Sequence, residues 1–134
     1  MLSETLDSYE EGVWDVTPTG GTWSVSRATY IKVGKKVTIF FSGGLSSGTS
    51  ATVKFPLPFA ADTSTTTGNH AGVEGHGSVM LHTANPPTNT FNANIYVWDT
   101  DAFIYFSSVN SSWTQADGTE VGSVVQFTAH YWAA

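Results

Sequence analysis

Alternation is the feature that most constrains this chain. Near the C-terminal end, Val125, Phe127, Ala129 and Tyr131 interleave with Val124, Gln126, Thr128, His130 and Trp132. A period of two puts the first set on one side of an extended strand and the second on the other, as a half-buried sheet requires. The same beat runs through Val37, Ile39 and Phe41, and through Trp23, Val25, Arg27, Thr29 and Ile31. Gly34-Lys35 separates those two runs and signals a hairpin. Further runs over 13–17, 51–55, 78–82, 94–98 and 103–109 are bounded by Pro18, Gly20-Gly21, Gly43-Gly44, Pro56, Pro58, Pro86-Pro87 and Asp99. Glycine supplies turns and proline cannot donate to a sheet ladder, so these residues end strands. About eight or nine short strands without an internal repeat predict an all-β fold, an antiparallel, jelly-roll-like β-sandwich.

Composition supports that reading and narrows the function. The 134 residues suit one domain. Only 12% are charged, against roughly 25% in an ordinary soluble domain. Polarity comes instead from Ser, Thr and Gly, which disfavour helix interiors. The net charge is −6, with 5 basic residues, all between Arg27 and Lys54. Too few cations remain to neutralise phosphates, so neither nucleic acid nor an anionic membrane surface is an expected partner. There is no cysteine, hence no disulfide framework and no thiol nucleophile. No apolar run has the length of a membrane span, and no secretory leader is visible. Residues 1–12, MLSETLDSYEEG, are acidic and lack alternation; they read as a connector, with the sandwich over 13–134.

That connector contains Leu6-Asp7-Ser8-Tyr9-Glu10-Glu11-Gly12-Val13-Trp14. A hairpin Tyr30-Ile31-Lys32-Val33-Gly34-Lys35-Lys36-Val37-Thr38 follows, then Leu57-Pro58-Phe59, a glycine-rich stretch over 71–77 and a final strand over 124–132. In this order the pieces resemble the C-terminal head domains of bacteriophage tail fibres and tailspikes. The departure is Val13-Trp14-Asp15-Val16-Thr17-Pro18, where the family more often shows Thr-Trp-Thr-Pro. The resemblance implies a receptor-binding tip on the virion's tail fibre, joined to an upstream stalk, assembled as a homotrimer and directed at the host bacterium's surface.

The side chains that could carry chemistry point to binding rather than catalysis. Asp99 and Asp101 flank one threonine on a tight turn, which suits turn chemistry better than paired carboxylates across a glycosidic bond. His70, His76 and His82 gather near Glu74 without the spacing of a metal motif, so they read as polar loop residues. No metal and no cofactor is expected, and no nucleophile elbow or phosphate loop occurs. Trp14, Trp23, Phe41, Phe55, Phe59, Phe91, Phe103, Tyr105 and Phe127 lie on or beside apolar strand faces and are expected in the core. Trp113 stands between Ser112 and Thr114 in a polar loop, and Trp98 borders the Asp99 turn. An indole beside short polar groups suits the C–H face of a sugar.

The expected function is therefore non-enzymatic recognition of a surface glycan. The candidate set is Trp113, Trp98, Asp99 and Asp101, with His70, His76 and His82 in reserve. The loops over 62–77, 99–102 and 111–118 are expected at the end of the domain opposite the connector. Two alternatives stand beside it: a structural cap that registers three fibre chains, and a carbohydrate-binding module outside any phage.

Overall fold

The computed structural model describes residues 8–63, 75–109 and 113–134, which contain strands and no helix. The strands are β1 (Tyr9–Val13), β2 (Gly21–Val33), β3 (Lys36–Gly48), β4 (Lys54–Pro56), β5 (Gly75–His82), β6 (Thr90–Trp98), β7 (Asp101–Ser108), β8 (Thr114–Gln115) and β9 (Val124–Trp132). They form one antiparallel sheet in the order β1-β2-β3-β9-β5-β6-β7-β4, with β8 added beside β7. The chain is thus all-β and antiparallel, and the layers facing each other are two halves of one strongly curled sheet. The curl is visible in the rings: Phe55 on β4, at one end of the order, stands 4.9 Å from Phe41 on β3 and 5.6 Å from Trp23 on β2. Closing the sheet onto itself gives each half an apolar surface to cover, which a lone twisted sheet lacks.

The core is an aromatic cluster. Trp14, Trp23, Phe41, Phe55 and Phe127 meet mostly edge to face at centroid separations of 4.8 to 6.2 Å. Around it lie Val37 and Ile39 from β3, Ile95 and Val97 from β6, Ile104 and Phe106 from β7, and Val125 and Ala129 from β9, all buried. Both indoles of the cluster keep a partner for their N–H: buried Trp14 donates to the Pro56 carbonyl at 2.8 Å and half-buried Trp23 to that of Thr19 at 2.9 Å. Among the described residues no buried side-chain nitrogen or oxygen lacks a partner.

Register shifts interrupt the ladders at Thr22/Trp23, Val25/Arg27 and Thr90/Asn92, and the last two alter the expected alternation. In β2 the register against β3 shifts between Val25 and Arg27. The extra residue turns the strand over, so Trp23 points inward ahead of the bulge and Ala28 and Tyr30 point inward beyond it. Thr29 and Ile31, expected to share the face of Trp23, end on the other side. The shift between Thr90 and Asn92 in β6 takes Phe91 out of the ladder. Phe91 is 67% exposed rather than part of the core. Tyr105, also expected inside, faces outward.

The connector differs too. Residues 1–7 lie outside the described region, but residues 9–12 are part of β1, paired with β2 from Tyr9↔Val33 to Val13↔Thr29. Alternation is missing there because β1 is an edge strand with little apolar surface to bury. Its register is held by Tyr30, whose hydroxyl donates to Glu10 Oε1 at 2.7 Å, while its ring occupies the space a side chain at Gly12 would need.

Hydrogen bonds sort the turns between the two ends of the sheet. At one end, Gly34 N donates to Ser8 O, Ala133 N to Lys35 O, and Ala61 N to Asp99 O. The β2–β3 turn, the C-terminus, Ala61 and the Asp99 turn therefore share the end where the connector enters. At the other end, Thr49 N donates to Gly20 O, Gly118 N to Ala51 O and Ser123 N to His82 O. This corrects the expectation for the Asp99 turn, while residues 64–74 of the 62–77 loop lie outside the described residues. The Asp99 turn lies at the connector end; so do the single residues Asp62, bonded to Trp132 O, and Gly75, paired with Tyr131. Each antiparallel strand reverses the chain, so the count of intervening strands decides the end, and β4 supplies one reversal in only three residues.

Candidate functional site

The outward face of β5, β6 and β7 holds a groove. Its volume is about 340 Å³, and His76, Gly77, Asn94, Ile95, Tyr96, Tyr105, Ser107 and Trp113 line it. Strand parity explains this lining. Ile95 and Val97 point into the core, so Asn94 and Tyr96 point out; Ile104 and Phe106 point in, so Tyr105 and Ser107 point out. Register then aligns them, with His76 opposite Tyr96 and Asn94 opposite Tyr105. Trp113 enters from the segment leading into β8, whose Gln115 pairs with Tyr105.

Three rings form a ladder along the groove. Tyr96 and Tyr105 lie 4.8 Å apart at 58°, and Tyr105 and Trp113 lie 5.8 Å apart at 73°. Trp113 remains 65% exposed although its neighbour holds it in place. An exposed indole fixed by a ring contact loses little freedom on meeting a ligand, so its surface is available at low entropic cost. The polar members of the lining, Asn94, Ser107 and His76, are uncharged hydrogen-bonding groups or an imidazole, and no carboxylate is among them.

The structure brings together two of the candidate residues. Trp113 and His76 line the same groove. His76, expected in a loop, sits within β5, because the strand begins at Gly75 rather than 78. The glycine-rich stretch concealed this: a Cβ at Gly77 would lie 2.0 Å from Thr128 O, so glycine is needed for β5 to lie against β9. His82 ends β5 and its Nδ1 is 3.2 Å from Ser123 Oγ, away from the groove lining. His70 lies outside the described residues.

Trp98, Asp99 and Asp101 occupy the tip of the β6–β7 hairpin. Trp98 is 48% exposed, and Trp98 pairs with Asp101 across the two-residue turn. Asp99 has φ of 57°, a backbone state that Asp tolerates better than most residues. The turn's carbonyls are engaged structurally, Thr100 O by Leu57 N at 2.8 Å and Asp99 O by Ala61 N at 2.7 Å. Tyr96, Tyr105, Asn94 and Ser107 were not singled out as ligand residues from sequence. The alternation in residues 94–98 and 103–109 could have shown their outward direction, but not that three strands would align them.

Among the described residues no group of three or more His, Asp or Glu side chains is arranged to hold a metal ion. No protein family, curated protein or solved structure matches the chain.

Proposed function

We propose that this domain is a non-enzymatic receptor-binding tip that holds a bacterial surface saccharide in the Tyr96–Tyr105–Trp113 groove. The carrying observation is the ladder of rings beside Asn94, Ser107 and His76. Sugar rings present apolar C–H faces to aromatics and hydroxyls to amide, hydroxyl and imidazole groups, and this lining offers both. Glycoside cleavage needs two carboxyl groups facing the bond, and the groove's described lining contains none, which favours binding that leaves the glycan intact. Placement on a phage tail fibre rests on the resemblance of the connector and hairpin to fibre head domains. A cellular carbohydrate-binding module would use the same groove.

The test is a glycan array with the purified domain, beside labelled domain on host cells. Retention of a defined saccharide, lost in Trp113→Ala and Tyr105→Ala while both variants stay folded, supports the proposal. Array and cell binding that both survive these substitutions would move recognition elsewhere on the domain.

The second reading, a structural cap joining three chains, is favoured by a different face. The outward sides of β2, β3, β9 and β5 expose Ile31, Val33, Phe40, Val124, Trp132 and Met80. Among the outward residues of those four strands there is no carboxylate, in a chain of net charge −6. Copies of an acidic molecule repel least where their carboxylates are absent, and exposed apolar surface of this kind suits association. Light scattering that reports three chains, together with no glycan retention, would favour the cap over the receptor-binding tip.

A further inference from the structure

Apart from the sugar reading, two imidazoles face each other across neighbouring strands. His76 on β5 lies directly opposite His130 on β9, both exposed on the outward face. Their rings are 5.2 Å apart at an interplanar angle of 65°. The backbone beneath them is held closely: a Cβ at Gly75 would come within 2.3 Å of His130 O, and one at Gly77 within 2.0 Å of Thr128 O. Glycines on both sides of His76 thus let β5 lie tightly against β9 where the two imidazoles stand.

We propose that His76 and His130 form a two-imidazole site for Zn²⁺, open to water or a further ligand at its remaining positions. Geometry carries the argument. Zinc–imidazole bonds are about 2.0–2.1 Å, and a ring nitrogen lies about 1.1 Å from its centroid, so each centroid stands roughly 3.2 Å from a bound ion. Two such rings at a tetrahedral angle have centroids about 5.2 Å apart, whereas a square-planar right angle brings them to about 4.5 Å. At 5.2 Å the two rings are close enough for both to reach one ion at the tetrahedral angle once each turns a nitrogen toward it.

The surroundings suit a cation. The flanking residues in the same cross-strand row are Thr38 beside His130 and Tyr96 beside His76, with no lysine or arginine at either position. Both rings are exposed, so each can turn a nitrogen toward a shared ion without disturbing the core. Strand positions in the middle of a sheet hold their Cα separation, which removes much of the ordering cost a loop site would carry.

Titration of the intact chain with zinc chloride by calorimetry, and with Co²⁺ as a spectroscopic substitute, tests the site. The expected result is one ion per chain and the intense visible absorption of four-coordinate Co²⁺. His76→Thr and His130→Thr keep β-favouring side chains at exposed strand positions, so both should fold. Each should weaken Zn²⁺ binding at least as much as losing an outer-shell partner does, roughly 10- to 100-fold. His82→Thr should leave it unchanged. Failure to bind Zn²⁺, wild-type affinity in either His76→Thr or His130→Thr, or one ion shared among several chains would overturn the proposal. Glycan binding that fails while Zn²⁺ still binds would remove the sugar reading alone.

Discussion

Aromatic side chains lie on both surfaces of the curled sheet, and the two groups do different things. On the inner surface Trp14, Trp23, Phe41, Phe55 and Phe127 interlock, and the indole N–H groups there donate to backbone carbonyls. On the outer surface Tyr96, Tyr105 and Trp113 touch one another at similar centroid distances, yet they border an open groove. Ring contact alone therefore does not separate core from site. Covering does: the opposite half of the sheet packs over the inner rings, while on the outer surface Tyr96 and Tyr105 stay half-buried and Trp113 is 65% exposed. A ring ladder that is ordered and ends in an exposed indole is prepared for a partner.

The comparison breaks most readily at the inner surface. Phe41→Ala should remove the ring shared by Trp14, Trp23, Phe55 and Phe127 and lower stability by about 3–5 kcal/mol, read from chemical denaturation. A loss under about 1 kcal/mol would mean that the cluster is loosely packed and the contrast between the surfaces is false.

Gly77→Ala should cost about 1–3 kcal/mol, because the added methyl meets the β9 backbone at Thr128 and Ala129. Hydrogen exchange should show the loss as faster opening of β5 against β9. Since β5 carries His76, the same variant should also weaken saccharide binding if that site is the groove. Unchanged exchange would show that β5 lies further from β9 than its register implies.

Tyr131 sharpens the boundary between the surfaces, since its ring is buried while its hydroxyl donates to Phe59 O at 2.7 Å. Tyr131→Phe should cost about 1 kcal/mol for that hydrogen bond. Burial also pushes the phenol well above its ordinary value of about 10. A raised value in the folded state means the unfolded chain releases this proton first. The stabilising contribution is therefore complete below pH 10 and declines as pH rises from there toward the folded value. Denaturation midpoints should fall over that alkaline range in the wild type and fall less steeply in Tyr131→Phe. Parallel pH profiles would show that other groups dominate the alkaline loss.

Outer-surface changes should have the smallest effect on stability and the largest on binding. Trp113→Ala should shift unfolding by no more than about 0.5 kcal/mol while reducing retention on the glycan and on cells. If it unfolds the protein, Trp113 belongs with the inner rings. Asp99→Gly keeps the turn, because glycine accepts the positive φ. Saccharide binding should survive it, which would separate the hairpin tip from the groove; a loss of binding would return Asp99 to the ligand set.

Period-two patterning determined β9 almost residue by residue and β3 over Val37, Ile39 and Phe41, because a sheet with one covered face must bury every second side chain, whereas Gly43-Gly44 to Gly48, expected as a loop, continues β3. It also placed Phe41, Phe55 and Phe127 in the core and Trp113 outside it. Only the tertiary structure decided the rest. Edge position made a strand of the acidic residues in β1, which bury too little to alternate. Bulges at Val25/Arg27 and Thr90/Asn92 reversed side-chain directions by inserting one residue, a change that leaves no mark in the pattern itself. Close approach to β9 turned a glycine-rich stretch that reads as loop into the strand bearing His76. Tyr96, Tyr105 and Trp113 are separated in the chain by 9 and 8 residues, and become neighbours only because β6, β7 and β8 pair side by side. Each residue's face is a local property that the sequence can carry. Which strands lie side by side is set by how the sheet curls to cover its own core, and that is a property of the whole chain.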